Sequence, residues 1–187
     1  MTYGGGVNSL INLNTGYFAA AIEATVKQDS GSVVFFDVTG NFISSVKVGS
    51  LPDMITVTPD ENKVLTANEE ESNDAYTIDP KGSVSIIDIS GGITSVSQPD
   101  VKLLFFDNTP DTIPGSIKNP ATSYSVDLEP EYIAINNSST KAKVICQESN
   151  VFIEIDLIGD SILNYKGLGF KDHLLIENGL YPSRTQN

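Results

Sequence analysis

The chain has one cysteine, one histidine and no tryptophan in 187 residues. A lone thiol, Cys146, excludes an internal disulfide, so cysteine pairing does not report the compartment. One imidazole, His173, limits any Ser–His–Asp arrangement to that residue, and no Cys/His cluster with zinc-ligand spacing is present. Basic residues are scarce: 11 Lys and Arg stand against 24 Asp and Glu, for a net charge of −13. The chain therefore lacks the clustered cations that neutralise phosphates or anionic headgroups, which argues against nucleic acid and membrane surfaces as partners. Such acidity suits cation binding or plain solubility, and charge alone favours the second. No apolar run reaches the length of a membrane span. The start, Met1-Thr2-Tyr3-Gly4-Gly5-Gly6, lacks the charged and apolar regions of a signal peptide. Helical periodicity is also missing, and only short turns are candidates for helix.

What the chain does have is apolar alternation in a repeated plan. One unit runs through Leu10–Leu13, Tyr17–Glu23 and Ser32–Asp37. A second runs through Met54–Val57, Lys63–Glu69 and Ser83–Asp88, and a third through Tyr132–Ile135, Ala142–Glu148 and Val151–Asp156. Ile11/Leu13, Ile55/Val57 and Ile133/Ile135 alternate with polar or small residues, the period of a half-buried strand. Ser32–Asp37 and Ser83–Asp88 are nearly continuous in apolar character, as expected of strands covered on both faces. Thr58-Pro59-Asp60-Glu61-Asn62 and Asn136-Asn137-Ser138-Ser139 read as turns. Thr39-Gly40-Asn41 and Ser90-Gly91-Gly92 lead to a fourth strand in two units, expected over Phe42–Val48 and Ile93–Val96.

Four short strands per recurring unit predict an all-β fold, a β-propeller segment of about three four-stranded blades. A β-sandwich also gives short alternating strands, but a recurring unit favours the propeller. The blades are expected at roughly 7–50, 51–98 and 127–166 within one domain spanning 1–187. Glu70–Lys81 interrupts the second unit, and the Pro-rich stretch 99–126 is expected to be a long surface excursion. Propellers close with four to eight blades, so three imply an open arc. The expectation is an excerpt of a longer propeller, a truncated product, or a module completed by a partner.

Four segments occur in an order that resembles the choice-of-anchor I domain family, which is similar to YVTN-type propellers. They are Tyr3–Ser9, Leu51–Asp60, Gly82–Asp88 and Gly167–His173. The resemblance covers nearly the whole chain. It implies a secreted or surface-attached propeller, linked to calcium mineral or the extracellular matrix as in mesenchyme-specific cell-surface glycoproteins. Relatives carry Gly where this chain has Glu61, and their acidic loop is stiffer than Asn68-Glu69-Glu70-Glu71-Ser72-Asn73-Asp74-Ala75-Tyr76.

Carboxylates are the candidate site. In a propeller the loops after each second strand share a face with the loops entering each first strand. Glu23, Glu69 and Glu148 belong to the first kind, and Asp53 and Glu131, beside Pro52 and Pro130, to the second. Glu71 and Asp74 add to the acidic loop. These seven residues are the expected metal ligands, and calcium the expected cation, because it accepts many oxygen ligands in flexible geometry. The loop lacks EF-hand spacing, and a solvated acidic surface is the competing reading. Asp172-His173 reads as a turn rather than part of a triad, and Cys146 as a packed thiol. Asn136-Asn137-Ser138 and Asn137-Ser138-Ser139 both satisfy the glycosylation sequon. The function expected is a non-enzymatic extracellular interaction module with a protein, matrix or own-chain partner. The alternative is a metal-dependent phosphatase-like hydrolase using the same rim.

Overall fold

A computed structural model describes residues 4–14 and 16–175. Within them the chain forms three four-stranded antiparallel sheets, each in simple chain order. The first holds β1 (Val7–Leu13), β2 (Tyr17–Ile22), β3 (Ser30–Asp37) and β4 (Phe42–Ser50). The second holds β5 (Pro52–Val57), β6 (Lys63–Asn68), β7 (Ser83–Asp88) and β8 (Val101–Phe105). The third holds β9 (Tyr132–Ile135), β10 (Lys141–Cys146), β11 (Val151–Asp156) and β12 (Ser161–Gly167). The architecture is that of an incomplete propeller, all-β as its alternation predicts. The first strands line one side of the arc, β1 against β5 and β5 against β9.

Two apolar layers hold the sheets face to face. Leu13, Ala19, Ala21, Val33 and Phe35 of the first sheet meet Ile55, Val64, Ile87 and Ile89 of the second. Leu65, Ala67, Val84 and Ile86 on the other face of the second sheet meet Ile133, Val144, Cys146, Ile153 and Ile155 of the third. The middle sheet is thus covered on both sides. This is why every side chain from Ser83 to Ile87 is buried and why β7 shows little alternation.

Two expectations need correction. Ile93–Val96 is not a strand. Ile93–Ser95 forms a 3₁₀ turn whose buried Ile93 plugs the first apolar layer. The fourth strand of the second sheet is β8, at Val101–Phe105, pairing Val84 with Leu104. Gly92, at φ 95, starts the turn, and a reciprocal capping box between Ser97 and Asp100 carries the chain through Pro99 into β8. The stretch 99–126 is therefore not simply a surface excursion. It begins as a strand, and its Phe106, Ile113 and Tyr124 enter the second apolar layer. A single-turn helix, α1 (Tyr124–Asp127), ends it.

Glu61 takes φ 54, a left-handed conformation that costs a non-glycine residue roughly 1–2 kcal/mol. Ser139 holds the corresponding place in the third sheet at φ 56. In both turns the left-handed residue donates its amide three residues back, Glu61 to the Thr58 carbonyl and Ser139 to Asn136. The Glu61 carboxylate also accepts the Asn14 amide at 2.6 Å, a link between the first two sheets that glycine could not make.

Candidate functional site

The rim is built by equivalent positions in the first two sheets. Glu23 is the first residue past β2, and its amide donates to the carbonyl of Gly6 just before β1. Glu69 is the first residue past β6 and donates to Leu51, just before β5. In the third sheet this ladder is offset: Glu131 donates to Ile145, and Glu148 lies beyond β10 in the turn closed by Asn150 and Gln147. Glu148 and Asp53 are exposed, whereas Glu23, Glu69 and Glu131 are half-buried.

Electrostatics show which of these act together. The Glu69 carboxyl is raised to about 7, by burial first and then by the charges of Asp53, Glu71, Glu131 and Glu148. Glu131 is also raised, by burial and by Glu148 and Asp53, against an opposing hydrogen bond from the Gln147 backbone. Five of the seven expected residues therefore form one repelling set around Glu69. Two stand aside. Glu23 accepts the Gly6 amide and lines a separate depression of about 310 Å³ with Asp29 and Lys47. Asp74 lies out in the loop between β6 and β7 and lines a larger cleft. Glu71 is shared, because its carboxylate also pairs with Lys27 at 3.3 Å. Among the described residues, no three His, Cys, Asp or Glu side chains stand as a ready coordinating group.

Two acidic residues matter that the rim reading did not select. Glu129 is raised to about 7 by burial and then by Glu148, Glu69, Asp127 and Asp79. Its signal was in the sequence: Glu129-Pro130-Glu131 enters β9 as Leu51-Pro52-Asp53 enters β5, so two carboxylates flank one proline. Glu70 is buried at 4% exposure and adopts φ 62. That turn sends its side chain under the rim, into the joint between the first and second sheets. There Ser83 donates to Glu70 Oε1 at 3.1 Å, while Glu70 Oε2 and the Ser50 hydroxyl are buried without partners. Burial lifts the Glu70 carboxyl to about 7 against the opposing bonds from Ser83 and the Ser50 amide. The same joint holds Asn68, fully buried, whose amide donates to Ser83 and Ser85 and accepts from Thr66.

The remaining candidates are structural. Asp172 accepts the Leu174 amide, the turn role expected of Asp172-His173. Cys146 is buried in the second apolar layer, and burial pushes its thiol far up. No described helix is long and apolar enough to cross a membrane.

Residues 1–184 match the choice-of-anchor I domain. This chain belongs to the choice-of-anchor I domain family. No curated protein matches it. Among solved structures it is similar to Kuenenia stuttgartiensis hydrazine synthase, with TM-score 0.57 at 12% identity, covering 87% of this chain and 50% of that one. It is also similar to a eukaryotic initiation factor, with TM-score 0.53 at 10% identity, covering 88% of this chain and 32% of that one. The β-propeller domain of a Swd1 protein from Myceliophteria thermophila gives TM-score 0.52 at 8% identity, covering 90% and 46%. At these identities the likeness concerns the fold alone. The choice-of-anchor I chain spans between a third and a half of the length of these structures.

Proposed function

We propose that this choice-of-anchor I chain is a non-enzymatic interaction module that works outside the cell, its acidic rim taking calcium and, through it, a mineral or matrix surface. The observation that carries this reading is the mutual repulsion around Glu69. Carboxylates from neighbouring loops add to burial in raising the proton affinity of Glu69, and a cation relieves that repulsion. The donors are all oxygens, which suits a hard cation that accepts six to eight of them, backbone carbonyls included. Because no three carboxylates among the described residues stand ready in this conformation, binding calcium would draw the loop 69–79 and the turn at Glu148 towards Glu69. The extracellular setting rests on the family resemblance.

Calorimetric titration of the purified chain with calcium, paired with a thermal melt, tests this. A saturable isotherm with a raised melting temperature is expected, since a ligand that binds only the folded state stabilises it. Glu69→Gln should weaken that binding. A folded chain that gives neither heat nor a melting shift rules the calcium role out.

A further inference from the structure

Parts of the two excursions noted in the sequence, 70–81 and 99–126, meet in space together with the residues that flank them. The loop 69–81 and the stretch 106–130 form facing walls of a cleft of about 780 Å³, within the size range of sites that enclose organic ligands. Glu71, Asp74, Tyr76 and Asp79 come from the first wall. Ile117, Asn119, Thr122, Asp127 and Glu129 come from the second, with Glu148 and Ser149 at the β10–β11 turn. The second wall is tied to the third sheet: Ile117 donates its amide to the Ser149 carbonyl, the Ser149 hydroxyl to the Asp127 carbonyl, and the Asn150 amide group to Gly115. Insertions on a repeated scaffold fall where binding surfaces are built.

The lining has two chemistries. Carboxylates are spread along both walls, and no three of them stand together as a metal group among the described residues. Between them lie large apolar side chains in water: Tyr76 is 80% exposed and Ile117 54%. The one cation of the lining among the described residues is already engaged. Lys118 donates to the Asn119 and Thr122 carbonyls and lies over the Tyr124 ring. A compact ion satisfies neither the spacing nor the apolar surface. A chain with cationic groups at intervals and methylene stems between them satisfies both, because Lys and Arg lay their stems on apolar surface while their charges stay at the rim.

We infer that the cleft between the two insertions binds an extended basic peptide segment, with Glu129 and Asp79 meeting its charges and Ile117 and Tyr76 its stems. The cleft is tested separately from the calcium reading of the rim, although Glu71 and Glu148 border both.

The test is fluorescence anisotropy of a labelled Lys-Gly-Lys-Leu-Lys-Gly-Lys peptide with the full chain at physiological salt. EDTA is present, so that calcium plays no part and failure at the rim cannot be mistaken for failure here. Saturable binding is expected, absent for the peptide with acetylated lysines. Glu129→Gln and Ile117→Ser should each weaken it by about threefold to fivefold, the worth of one partly exposed contact. Asp29→Asn, the same charge change in the first sheet, should leave it unchanged, and melts of each variant confirm folding. Absence of saturable binding overturns the inference. So does equal weakening by Glu129→Gln and Asp29→Asn with Ile117→Ser unchanged, which would make the attraction one of net charge alone.

Discussion

Glu69 and Glu70 are neighbours in the chain, and both carboxyls are held at about 7, but they belong to different regions. Glu69 stays at the rim, and the charges of Asp53, Glu71, Glu131 and Glu148 add to its burial. Glu70, turned by φ 62, lies in the joint between two sheets, where burial raises it against hydrogen bonds from Ser83 and the Ser50 amide. The same proton affinity thus arises in one place partly from repulsion that water, salt or a cation can relieve, and in the other from desolvation that they cannot reach. A raised carboxyl by itself does not mark a binding site; the cause of the shift does.

The sharpest way to break the comparison is to open the joint. Asn68→Ala would leave the buried hydroxyls of Thr66, Ser83 and Ser85 short of a partner and should destabilise the chain by about 3 kcal/mol. Gly49→Ala attacks the same place sterically, because an added Cβ would lie 2.6 Å from the Asn68 amide nitrogen and the Ser83 hydroxyl. It should cost about 1–3 kcal/mol. Denaturant unfolding measures both, and a loss under half a kcal/mol for Asn68→Ala would mean that the joint does not hold the sheets.

Protonation comes next. A carboxyl raised in the folded state binds its proton more tightly there than in the unfolded chain. The contribution of Glu69 and Glu70 to stability is therefore greatest below the ordinary carboxylate value of 4.5, falls as pH rises from there to about 7, and is flat above. Melts should show a chain that is more stable near pH 5 than near pH 8. Glu70→Gln should raise stability near pH 8 and do little near pH 5, since it removes a charge that has no place in the joint. Smallest is the effect of salt. Screening should lower the midpoint of Glu69 and leave that of Glu70 in place, because only the former is raised by neighbouring charges.

The repeated plan was legible because strand alternation and turn residues are local. Ile55/Val57 and Ile133/Ile135 place the inner strands, and Glu23 and Glu69 fall at equivalent points. The β8 strand was not legible: Ile93–Val96 has strand composition, but Gly92 and the Ser97–Asp100 capping box turn it into a plug, and the edge strand follows. The rim was partly legible. Sequence position indicates that Glu69, Asp53, Glu131 and Glu148 come from neighbouring loops, but not that the backbone at Glu70 turns left-handed and buries the next carboxylate. Nor does spacing reveal that Glu71 pairs with Lys27 and that Asp74 faces a different cleft, because the first follows from contact with the β2–β3 loop and the second from how the two insertions pack.

The most direct test of the account is a carboxyl NMR titration of Glu69 and Glu70 with and without calcium. The account predicts that calcium lowers the Glu69 midpoint well below 7 and leaves Glu70 where it is. A Glu69 midpoint that calcium does not move would contradict it, and the acidic rim would then be a solvated surface.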